Sequence, residues 1–446
     1  MKQINSYYKD LASTFFNQIW RIFSGPVMLF FIPYFLSPVT QGYWYTFISL
    51  AALSILADLG FSNIILQFSA HEFAFLHFNE NMQLEGDYNH LLRLTDFFQF
   101  SMKWLLKIVL IAFPLIMIGG YSFISYKTSA DIHVYGWKEA WFLYSFASAF
   151  VFINSIILSF FEGCNLVGKV QKLRFKIAVI TTLSMFLGLI LHFELLALAL
   201  SNIFSSIAGA FFIIKNFKNT ILQFLKVENH NVYNWWPEFS KLIWRYAISW
   251  GSGFLVFQLF TPLTFYFFGP ISAGKIGISI NMWTAGYNIS VSWITAVTPK
   301  LNMLISEKKW TQLDYLFNNS FIKSVGTMLL GGFCFFVFEY FIGLKFSFFN
   351  RIMTPRGMLI LFLAWLLQVI INAQAIYLRA HKKEPLVLIS CVNAIIVLCG
   401  TALCGMYLES EYLFLGFLAG SIFQSIATFR IFKNYQWQHS VYNEVM

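Results

Sequence analysis

Two ionisable residues, Arg21 and Asp58, lie deep inside long apolar runs, Ser13–Leu36 and Tyr43–Ala70. Counted from the cytoplasmic ends they stand about 9 and about 12 residues in, roughly 14–18 Å at helical rise. A charge at that depth costs at least about 2.5–3.5 kcal/mol on insertion scales, so it faces a cavity or a partner. Arg21 belongs to a polar stripe, Ser13, Asn17, Arg21 and Ser24, and Asp58 to another, Ser54, Asp58 and Ser62 at i, i+4, i+8. A guanidinium grips phosphate-like oxygens bidentately. A carboxylate beside it either compensates that charge or carries a coupling proton. The competing account is a structural ion pair that fixes two neighbouring helices. Arg245, about one turn inside the membrane, suits entry of an anionic ligand or snorkelling to the interface. Asn281, Thr284, Asn288, Ser292 and Thr295 share one face, fit to bind a hydroxyl-rich ligand or to glue helices together.

The elements that position these residues follow from composition. The chain has 446 residues, 58% hydrophobic and 11% charged, with 54 Phe, too few charges to cover a soluble protein of this length. Apolar runs of about 20 residues recur throughout, the length a hydrocarbon core of about 30 Å requires of a helix. A β-barrel would show shorter alternating segments. The pattern predicts an all-α polytopic membrane protein with about twelve spans, at 12–36, 43–69, 104–126, 139–161, 174–192, 194–214, 239–267, 272–297, 317–343, 357–379, 385–406 and 411–432. The first run is too long for a cleaved signal and is expected to stay as a helix. No soluble catalytic domain is expected.

The net charge of +10 suggests nucleic acid, but its distribution argues for topology instead. With the N-terminus inside, 23 of the 30 Lys and Arg fall on cytoplasmic segments, six fall outside, and Arg21 lies within a span. This bias places both termini in the cytoplasm. No nucleic-acid partner is expected. The five cysteines are odd in number and four sit in apolar spans, so they read as core residues without a disulfide framework.

The two halves repeat. FFGPISAGKI at Phe267–Ile276 overlays FLSPVTQGYW at Phe35–Trp44 at an offset of 232, matching Phe, Pro and Gly. In each half this turn joins spans one and two of six, and a cytoplasmic connector of amphipathic pattern follows. The first connector, Leu84–Lys103, is expected to lie as a helix on the membrane surface; the second is Glu307–Ser324. Two six-helix bundles related as a parallel repeat are predicted, over 1–214 and 239–432, with a linker at 215–238 and a cytoplasmic tail at 433–446. Trp235 and Trp236 are expected at the headgroup interface. Gly416 and Gly420 form a small-xxx-small motif for close helix contact. The polar faces of spans 1, 2, 7 and 8 are the expected walls of a central cavity. No catalytic constellation stands out. His71-Glu72 followed by His77 lacks the i, i+4 spacing of a zinc helix, and Gly251-Ser-Gly253 has no P-loop lysine. No cofactor or metal is expected.

PYFLSPVTQGYWYTFISLAALSILADLGFSNIILQFSA resembles the start of O-antigen and capsular polysaccharide flippases. These form the polysaccharide-transporter branch of the multidrug/oligosaccharidyl-lipid/polysaccharide exporter superfamily. The similar features are the Gly turn, an aromatic-rich second span and the element Asp58-Leu59-Gly60-Phe61. TPKLNMLISEKKWTQLDYLFNNS resembles the connector after span eight. The resemblance implies a bacterial inner-membrane flippase moving undecaprenyl-pyrophosphate-linked oligosaccharide to the outer leaflet by alternating access. It implies membrane lipids, H+ or Na+, and the polysaccharide polymerase machinery as partners. On it, Arg21, Asn17, Asp58, Arg245, Asn281 and Asn288 become candidate cavity residues and Asp58 the coupling candidate. Two other functions compete: a polysaccharide polymerase or ligase, which calls for a large outer loop, and a cation-coupled drug exporter of the same fold, which calls for an acidic cavity.

Overall fold

The structure, a computed structural model, describes the chain outside residues 1–16, 18, 19, 21–23, 26, 59, 128–133, 227–232, 344, 382–384, 445 and 446. Helices dominate because no backbone donor or acceptor can be left unpaired in hydrocarbon. In chain order the helices are α1 (Pro38–Ala51), α2 (Ser54–Asp58), α3 (Phe61–Phe73), α4 (Tyr88–Lys127), α5 (Trp137–Gly163), α6 (Val167–Ile190) and α7 (Leu195–Lys226). They continue as α8 (Trp236–Phe257), α9 (Phe260–Ser306), α10 (Trp310–Ile342), α11 (Pro355–Ala380), α12 (Val387–Tyr407) and α13 (Leu415–Glu444). Residues 27–35 are also helical. Among the described residues nine helices are long and apolar enough to cross a membrane, ten if the bent run Pro38–Phe73 is one span. One of the nine, Gly251–Thr298, covers parts of two expected passes, which part at Gly269, where φ is 80° and ψ −178°. Together with residues 27–35, these passes give the expected all-α architecture of twelve spans in two halves.

The chain divides into two compact units, residues 1–24 with 47–251, and residues 25–46 with 252–446. In the first, an aromatic core joins Phe61, Phe97, Phe160, Phe161, Phe217 and Phe224. Two glycines set helix spacing there. A Cβ on Gly163 would lie 2.0 Å from Ser69 Oγ, and one on Gly120 2.1 Å from the Trp141 ring.

The second unit contains both Pro/Gly turns of the repeat. They pack reciprocally: a Cβ on Gly42 would fall 1.9 Å from the Pro270 carbonyl oxygen, and one on Gly274 3.2 Å from that of Pro38. The matched residues of the two halves therefore meet each other. Gln41 Nε2 donates to the Gly274 carbonyl at 2.9 Å and to that of Arg351 at 3.4 Å, stitching the pair to the Ser347–Arg351 turn. Farther along, Gly416 would place a Cβ 2.6 Å from the Gly400 carbonyl carbon, the close α12–α13 contact expected of its motif.

The connectors differ from expectation. Residues before α4 form a hairpin, β1 (Leu76–Phe78) and β2 (Leu84–Gly86), paired antiparallel with Leu76 opposite Gly86. Asn79 Oδ1 accepts from the Asn81 and Gln83 amides, and Met82 takes a positive φ of 58°, which closes the turn. Gln223 of α7 brackets Leu84, its Oε1 accepting from that amide and its Nε2 donating to that carbonyl. Thereafter α4 runs unbroken for 40 residues. Leu94 and Phe98, expected on the bilayer surface, are buried in the protein core, because α3, α5 and α7 supply aromatic partners for that face. Likewise Glu307–Ser324 mostly continues into α10, burying Leu313 and Phe317 against Tyr377 and Phe432. Trp235 is also corrected. It is 2% exposed, with its indole N–H donating to Asp96 at 3.0 Å, while Trp236 remains exposed.

Candidate functional site

The second span is broken where its charge stands. Gly60 adopts the left-handed region, φ 77° and ψ 13°, which favours a residue without Cβ. The break leaves the first amides of α3 without helical acceptors. Asp58 supplies one, accepting from the Ser62 amide at 3.0 Å and from its hydroxyl at 2.6 Å. The carboxylate is buried, at 8% exposure, at the positive end of a helix dipole. Asp58 and Gly60 thus flank a helix break with a carboxyl group built into it. Arg21 lies outside the described residues.

Asn17, 5% exposed, donates through Nδ2 to Gln171 Oε1 at 2.8 Å. Gln171 Nε2 passes the chain on to Glu162 Oε1 at 2.9 Å. Arg174 closes it, with Nη2 2.9 Å from Glu162 Oε2 and 3.3 Å from Ser159 Oγ. The turn between α5 and α6, with Asn165 at φ 59°, folds the carboxylate back onto the helix that carries Gln171 and Arg174. The outcome is a neutralised cation–carboxylate pair joined to the polar stripe of the first span. Gln171, Glu162 and Arg174 were not among the sequence candidates. Their signal was present as an i, i+3 pair, Gln171 and Arg174, in an otherwise basic connector.

In the second unit Asn281 and Asn288 stand two turns apart on α9, both exposed. Asn281 donates to its own helix at the Gly277 carbonyl, 2.8 Å away, and Thr284, Ser292 and Thr295 do the same at Ile280, Ile289 and Val291. The three hydroxyl donors and one amide N–H of Asn281 are spent locally, while the second Asn281 N–H and the side-chain oxygens stay available to a ligand. Arg245 falls on α8, and its side chain lies outside the described residues. Among the described residues no three His, Cys, Asp or Glu cluster as metal ligands.

No family model matches the chain, and no curated protein is similar to it in sequence. Solved structures are similar in fold. An inward-facing multidrug-resistance MATE family transporter of the MOP superfamily aligns over 97% of this chain and 98% of its own, with a TM-score of 0.62 at 11% identity. The lipid II flippase MurJ, in an inward closed conformation, aligns over 95% and 87%, with a TM-score of 0.65 at 13% identity. The MATE multidrug transporter DinF-BH aligns over 95% and 94%, with a TM-score of 0.57 at 10% identity. The chain has the fold these transporters share.

Proposed function

We propose that the protein is a flippase, not an enzyme, which moves undecaprenyl-pyrophosphate-linked oligosaccharide from the inner to the outer leaflet of a bacterial inner membrane. The supporting observation is a fold shared over nearly its whole length with a lipid flippase, in a chain whose second span carries a buried carboxylate at a helix break. Polar and charged headgroups do not cross hydrocarbon unaided, so a carrier must offer them a polar path. Arg21 is assigned to the pyrophosphate, Asn17, Arg245, Asn281 and Asn288 to the polar head, and Asp58 to ion coupling. Both termini are placed in the cytoplasm. The test replaces Arg21 by Ala. Surface polysaccharide disappears while protein level holds; normal polysaccharide in that variant removes Arg21 from the site.

A cation-coupled drug exporter is the second reading, favoured by the equally extensive likeness to MATE transporters and by Asp58 itself. Reconstituted vesicles separate the two. The flippase reading requires that lipid-linked oligosaccharide become accessible to an external lectin, and a cationic dye pumped out instead supports the exporter.

A further inference from the structure

In the second unit, a cavity of about 620 Å³ opens between residues 30–35 and the Ser347–Arg351 turn. Its walls are aromatic: Phe30, Phe31 and Tyr34 on one side, Phe346 and Phe348 on the other, with Phe30 and Phe348 ring centroids 5.2 Å apart. Arg351 is the one charged residue lining it among the described residues. Its Nη1 is shut off from solvent and has no hydrogen-bond partner. Arg351 as a whole is half-buried and lines the cavity, and no protein acceptor meets its Nη1, so its charge is left for an anion beside it. Of its lining residues, Tyr34 (83% exposed) and Phe30 (56%) leave large aromatic surface uncovered, at what the sequence reads as the end of an apolar span. A hydrated free anion gains nothing from such walls, whereas an acyl chain does.

We propose that this cavity holds an anionic membrane lipid, with its phosphate on the Arg351 guanidinium and one acyl chain along the aromatic walls. The volume is within the range of sites for ligands of drug size, enough for a headgroup and the upper part of one chain. The turn is held by its backbone, through Gln41 to the Arg351 carbonyl and through the Met353 amide to Ser279 Oγ at 3.1 Å. The Arg351 side chain is therefore replaceable without cutting those anchors. This site does not rest on the transport reading above.

The test is a native mass-spectrometry titration of the full-length protein in detergent with phosphatidylglycerol. Parallel arms use dioleoylglycerol, which has the chains without the phosphate, and inorganic phosphate. One tight phosphatidylglycerol is expected on the wild type, weakened about tenfold in Arg351→Gln and less in Arg351→Lys. Dioleoylglycerol and millimolar inorganic phosphate should not displace it. Equal binding by wild type and Arg351→Gln overturns the proposal, as does displacement by dioleoylglycerol or by inorganic phosphate. If Arg351→Gln does not purify as a folded protein, Arg351→Lys decides alone: unchanged affinity there rejects bidentate phosphate binding.

Discussion

Asp58 has one observed role and one proposed role, and the two are separable. Its oxygens satisfy the Ser62 amide and hydroxyl at the start of α3; the proposed role, ion coupling, would use its charge. Asparagine keeps an oxygen for the Ser62 amide, while alanine leaves that donor unpaired, a loss of about 0.5–2 kcal/mol on the scale of helix caps. Asp58→Asn is therefore expected to melt like the wild type in detergent and to lose transport at least tenfold. Asp58→Ala should lose both. Transport retained in the Asn variant confines Asp58 to capping and strips it of the coupling assignment. The sequence marked this residue as unusual through its depth in an apolar run, and the structure buries it. The break beside it was not legible, since Ser54–Ser62 reads as one unbroken polar stripe and only the backbone at Gly60 interrupts it.

At the scale of elements, the repeated Pro/Gly turns were legible because proline and glycine are local punctuation, and the structure adds that the two turns touch. That contact makes a sharp prediction. Gly42→Ala drives a Cβ to 1.9 Å from a backbone carbonyl oxygen that no rotamer change can move. Overpacking of this kind costs about 1–3 kcal/mol. Gly326, on α10, has nothing within 4 Å, so Gly326→Ala is the matched control and should melt at or slightly above the wild type, since alanine is the better helix former. Equal melting temperatures for both variants would show that the turns do not meet. The connectors were less legible. A three-residue strand pair such as Leu76–Phe78 and Leu84–Gly86 carries too little period-two pattern to register, and Gln223, 139 residues beyond Leu84 on α7, completes it. Such distant partners also explain why an amphipathic stripe pointed into protein: Glu72, 3% exposed at its side chain, gathers His90 at 2.8 Å and Arg93 at 3.0 Å. Arg93 in turn stacks on Tyr233 at 4.8 Å. A stripe of Leu and Phe reads the same from sequence whether lipid or another helix covers it.

For the whole molecule, the proposed orientation, with both termini in the cytoplasm, rests on the distribution of charge. Over the expected spans six Lys and Arg fall on one side and 23 on the other, with short segments between, the condition under which positive charge governs insertion. Alkaline phosphatase, active only outside the cytoplasm, should be inactive when fused after Lys226 and active when fused after Lys345. The reverse pattern would invert the chain and put the Arg351 cavity in the inner leaflet. Adding arginines discriminates further. Two placed beside Lys345 oppose the bias and should lower the yield of inserted protein, whereas two beside Lys226 should leave it unchanged. Leaflet and mechanism are then linked. On the proposed flippase reading, active fusions after Lys345 would place the Arg351 cavity on the product side of the membrane.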